Sequence, residues 1–144
     1  MAGPDGLDVS FIMVADAAQS VAGKVYILGG GWDRLRVPEI PGPPAVPFYV
    51  AVGLTVPWNL TNRKFSFSIE LEDSDGETVA ALVTGEAEVG RPPGIRPGTP
   101  QPVHLAGPMS PIFPSEGRYV LVCKVDGEPL GHTAIEVTEG GPQP

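Results

Sequence analysis

Residues Lys64–Glu72 read KFSFSIELE. Phe65, Phe67, Ile69 and Leu71 fall on one side of this run and Ser66, Ser68, Glu70 and Glu72 on the other. A period of two is the mark of a β-strand with one face in a core and the other in water. The run stops at Asp73-Ser74-Asp75-Gly76, a tight-turn sequence in which Asp bonds its own backbone and Gly accepts positive φ. Glu77 to Val89 then supplies a returning strand.

The same grammar recurs outward in both directions. Tyr119, Leu121, Cys123 and Val125 alternate, Asp126-Gly127-Glu128-Pro129 turns, and Thr133, Ile135 and Val137 alternate on the way back. Asp8–Ala15, Lys24–Gly29, Phe48–Val56 and Val103–Ala106 bring the count to about eight strands. No window of helical length carries a 3.6-residue apolar face; the nearest, Val14–Ala22, is Ala-rich and allows one turn at most before Gly23. Without crossover helices the sheets are expected to be antiparallel. The fold class read from these patterns is an all-β antiparallel β-sandwich of about eight strands, with a closed β-barrel as the alternative.

At 144 residues the chain is one domain in size, long enough to bury roughly 70% of its extended surface without a disulfide or metal. Its 19 Gly and 18 Pro suit many short strands joined by turns. Residues 1–7 are expected to be a flexible N-terminus, 8–138 the single domain and 139–144 a disordered tail. Two Pro-rich connections, Val37–Pro47 and Arg91–Pro102, read as stiff extended crossovers, or as segments that dock on a partner.

Seventeen acids against nine basic residues give a net charge of −8. That balance opposes nucleic acid, whose affinity comes from Lys and Arg releasing counterions, and opposes an anionic membrane surface. The lone Cys123 sits in an apolar alternation and reads as a small buried hydrophobe. The start of the chain shows no secretory pattern, and no apolar run nears the ~20 residues of a membrane span, so a cytoplasmic location is expected.

The glycines at 29–31 resemble the opening of a dinucleotide loop, but Arg34 stands where the third glycine belongs and Pro38 follows. They read instead as backbone devices that allow a bulge or the approach of a large ring. Glu72–Glu77 is acidic, yet Leu71 and Leu82 occupy positions an EF-hand needs as ligands. His104 and His132 lack metal-ligand neighbours, and no nucleophile is paired with a base in sequence. No cofactor and no catalytic residue are expected.

Trp32, beside Asp33, and Trp58 each follow a strand and flank a turn. Such rings either cap the open ends of a sandwich core or form a binding platform. Trp32, Asp33 and Trp58, with Arg91 and Arg96 of the second Pro-rich connection, are the candidate interaction surface. In order along the chain, ADAAQSVAGKVYILGGGWDRL, an apolar strand ending in VPW, LEDSDGE, VGRPPGIRPGTPQPVHLA and EGRYVLVCKVDGE resemble a family of small bacterial proteins classed as a domain of unknown function. The resemblance spans Asp8 to Val137 and implies a single intracellular domain, with no activity to carry over. The expected function is therefore a non-enzymatic β-sandwich that binds another protein or itself. The alternative is a loop-end site for a small ligand, sugar or metal, with hydrolysis as its possible chemistry.

Overall fold

The computed structural model describes residues 6–44 and 46–140, the side chain of Leu82 apart. Among the described residues nine strands form two packed sheets, as the alternation implies. They are β1 (Asp8–Val21), β2 (Lys24–Gly30), β3 (Arg34–Val37), β4 (Phe48–Val56), β5 (Lys64–Glu72), β6 (Thr78–Glu88), β7 (Gln101–Met109), β8 (Gly117–Val125) and β9 (Glu128–Glu139). One sheet has the order β2-β1-β4-β7 and the other β3-β9-β8-β5-β6. Neither closes on itself, which removes the barrel alternative.

The core lies between the sheets and is built from the alternating residues. Val50, Val52, Leu54 and Val56 of β4 meet Ile69 and Leu71 of β5 and Leu121, Cys123 and Ile135 of β8 and β9. Gly131 sits 3.1 Å from Val9 measured from where a Cβ would stand, and Gly107 sits 3.1 Å from Val83 in the same sense. These two glycines let the sheets close on each other at opposite margins. Leu7, which the sequence reading leaves outside the domain, is only 3% exposed and belongs to the core. At the other end Glu139 ends β9, and Gly140 donates its N–H to the Val37 carbonyl. Residues 1–5 and 141–144 of the expected flexible ends lie outside the described residues.

Two expectations are corrected. Val14–Ala22 is not a helical turn; its Ala-rich run continues β1, and Ala22-Gly23, with φ of 50° and 77°, makes the two-residue hairpin turn into β2. The sheets are not wholly antiparallel either, because Arg34–Val37 forms an unforeseen strand that pairs in parallel with β9. The antiparallel expectation considered only strands adjacent in sequence. Here the chain between β3 and β9 runs through five further strands, and that excursion serves as the crossover a parallel pair requires.

β1 is the element that shapes the outer surface. Its first half pairs with β4 and its second with β2, and a register shift between Val9 and Phe11 marks a bulge. The bulge brings the Ser10 hydroxyl and the Phe11 ring together over Gly53, where any Cβ would collide with the ring. The hairpin then bends back across the sheet: Ser20 Oγ donates to the His104 carbonyl (2.9 Å), and His104 Nδ1 lies 3.0 Å from the Gly23 carbonyl oxygen. Ala51 is fully buried although it points away from the core that Val50 and Val52 enter.

Candidate functional site

Of the five residues singled out in the sequence, Trp58 and Arg91 come together, and Trp32 lies apart from them. Trp58 opens a single 3-10 turn, Trp58–Leu60, just past the end of β4. Arg91 lies over its ring, with Cζ 3.8 Å from the centroid, and donates from Nη2 to the Trp58 carbonyl (2.9 Å) and from Nε to Thr61 Oγ1. Thr61 is buried and donates in turn to the Trp58 carbonyl (2.6 Å). Arg91 therefore covers one face of the ring. Trp32 instead packs edge-on against Phe48, the first residue of β4, at 5.6 Å between centroids. The two tryptophans thus sit at opposite ends of a nine-residue strand, about 27 Å apart along it. Asp33 is exposed and its carbonyl receives the Glu136 N–H. Arg96 is exposed in a turn where its carbonyl receives the Thr99 N–H.

A second group of side chains, none of them singled out in the sequence, comes together on the β1–β2 hairpin. Val21, Tyr26 and Leu28 are 44%, 57% and 71% exposed. Tyr26 stands opposite Gln19 and Leu28 opposite Ala17, so these side chains share one face. With Ala18 and Tyr49 they line an open cleft of about 510 Å³. On the opposite face of the hairpin Ser20 reaches back to β7.

β2 is also the outer strand of its sheet, and it is the least guarded of the four sheet edges. Unpaired N–H and C=O groups on an edge template the addition of another strand, so edges are ordinarily blunted by Pro, charge, bulges or shortness. β7 has exposed Pro102 and Pro108; β6 has Glu86, Glu88 and two register shifts against β5; β3 has four residues, Arg34 and Arg36 among them. β2, KVYILGG, has neither Pro nor acid and carries Lys24 alone. The sequence reading missed Tyr26 and Leu28 because both faces of this run are apolar, which reads as a fully buried strand. The available signal was the lack of any blunting residue.

A family model described as "Family of unknown function (DUF6941)" matches residues 10–138. The chain belongs to this family. No curated protein matches the sequence. Among solved structures, Pseudomonas fluorescens alkylpurine DNA glycosylase AlkC bound to DNA containing an abasic site analog aligns over 92% of this chain at 15% identity, with a TM-score of 0.42. This member of DUF6941 spans 30% of that chain.

Several ionisable groups of the chain are tied into its structure. Asp73 Oδ1 accepts from the Asp75 and Glu77 N–H groups, so the acidic turn expends that carboxylate on its own backbone. Asp126 Oδ1 accepts from the Ser66 N–H (2.9 Å) and hydroxyl (3.1 Å). On the outer face of the second sheet Lys124 Nζ lies 3.1 Å from Glu70 and 3.9 Å from Glu72. The Lys124 hydrogen bond, helped by Ser68 and Thr78, holds the Glu70 carboxyl below its ordinary range despite some desolvation. Burial pushes the Cys123 thiol up to about 11. Among the described residues no group of three or more His, Cys, Asp or Glu side chains is placed to hold a metal ion. None of the helices among the described residues is long and apolar enough to cross a membrane.

Proposed function

We propose that the chain is a bacterial cytoplasmic protein-binding module without catalytic activity, and that its binding element is the free edge and outer face of the β1–β2 hairpin. The observation that carries this reading is the coincidence, on β2, of an unguarded edge with Tyr26 and Leu28 at 57% and 71% exposure. An added strand gains main-chain hydrogen bonds from the edge and specificity from pockets that take its alternate side chains. The cleft bounded by Tyr26, Leu28 and Tyr49 offers such a pocket.

A photoreactive phenylalanine analogue placed at Leu28, with the same substitution at the exposed Ile112 (52%) as control, tests the reading in living cells. Adducts with protein from position 28 and few from position 112 are expected. Equal labelling from both positions, or none from either, contradicts it. The protein-binding reading takes its support from the hairpin alone, since Trp58 is covered by Arg91 and Trp32 packs on Phe48.

A further inference from the structure

The turn at Ala22-Gly23 determines which backbone groups of β2 are free. In a two-residue hairpin the flanking residues, Val21 and Lys24, exchange hydrogen bonds, and the pattern repeats every second residue. Lys24, Tyr26 and Leu28 therefore point their N–H and C=O groups inward to β1. Val25 and Ile27 point theirs outward. Gly29 leaves the extended conformation with φ of 60° and drops out of the edge. The free edge is thus two residues placed symmetrically about Tyr26.

Resting on the protein-binding reading above, we propose that the partner at this edge is a second copy of the chain, added antiparallel with Tyr26 on the two-fold axis. In that register Val25 and Ile27 of one copy exchange both backbone bonds with Ile27 and Val25 of the other, so every outward group of the extended edge is satisfied. The same pairing sets Val25 beside Ile27 of the second copy, a β-branched pair of the kind that stabilises sheets. Tyr26 meets its counterpart at a non-hydrogen-bonded position, where strands approach most closely. Lys24 lies opposite Leu28 of the second copy, so its aliphatic stem covers the side chain that is now 71% exposed. A C2 interface must be self-complementary, and a strand whose free groups are symmetric about one residue meets that condition. β2 itself carries no acid, and the Asp16 carboxylate of β1 lies against Gly29, beyond the Lys24–Leu28 segment that the second copy would cover.

Cysteine cross-linking together with light scattering on the full chain tests the inference. Cys123 is fully buried and does not compete for oxidation. Tyr26→Cys is expected to give a disulfide-linked dimer on mild oxidation. Lys24→Cys and Leu28→Cys give none alone but link when the two variants are mixed. The unmodified chain should show a dimeric mass at high micromolar concentration, and Leu28→Lys, with an unchanged circular dichroism spectrum, should associate about tenfold more weakly or worse. A monomer at every concentration overturns the second copy as partner; position-28 adducts with a different protein would then leave the broader protein-binding reading standing. A dimer that Leu28→Lys does not weaken, or that links through Leu28→Cys alone, overturns the proposed pairing.

Discussion

Gly53 shows how one atom more would undo the outer surface. It lies under Phe11 and Ser10, and a Cβ there collides with the Phe11 ring. Gly53→Val is expected to cost about 1–3 kcal/mol as the ring is forced out of its seat, measured as a fall in the urea midpoint without a change in slope. Glu70 gives a second test, through pH. Its carboxyl titrates below the ordinary value of 4.5 because Lys124 and two hydroxyls stabilise the charged form. A lowered native pKa means that the unfolded state binds the proton first, so this stabilisation is complete above pH 4.5 and is lost as pH falls through the lower native value. Urea midpoints of Glu70→Gln should therefore fall below those of the parent at pH 6 and converge with them toward pH 3. Cys123, with its thiol pushed up to about 11 and no exposed surface, should react with thiol reagents at pH 8 only at the rate of unfolding.

Strands obey the sequence where one face is wet and escape it where neither is. β5, β8 and β9 were legible because Phe65, Ile69, Leu71, Tyr119, Leu121, Cys123 and Ile135 recur at every second position, mostly between polar or half-buried neighbours with Val122 the buried exception, and each proves buried. β3 escaped because four residues ahead of Pro38 give too little pattern, and its parallel partner lies at the far end of the chain. The second half of β1 escaped because alanine is neutral between periods; its strand character comes from β2 and from the hydrogen bonds that tie the hairpin tip to His104. The candidate site was the least legible part. Aromatic rings beside turns drew attention to Trp32 and Trp58, but what decides accessibility is which edge the topology leaves outermost, and strand order is not written locally in a sequence. Arg91 illustrates the same point, being a clamp on Trp58 and Thr61. Arg91→Ala should alter tryptophan fluorescence and cost about 1 kcal/mol, which a denaturant titration followed by Trp emission would report.

Taken whole, the molecule is an acidic sandwich with three blunted sheet edges and one bare one. Net charge then separates the possible partners by the sign of a salt effect. Two copies of −8 repel over the ~8 Å range left by physiological salt, so raising ionic strength should tighten self-association, whereas a basic partner would be released. The most direct measurement is amide hydrogen exchange of β2 across a range of protein concentrations. Tyr26 and Leu28, bonded inward to β1, should be protected at every concentration and so calibrate the strand. Val25 and Ile27, whose N–H groups face the free edge, should exchange rapidly in dilute protein and become protected as concentration rises. Exchange at Val25 and Ile27 that stays fast at all concentrations, or that is already slow in the dilute monomer, would contradict an edge built to receive a second strand.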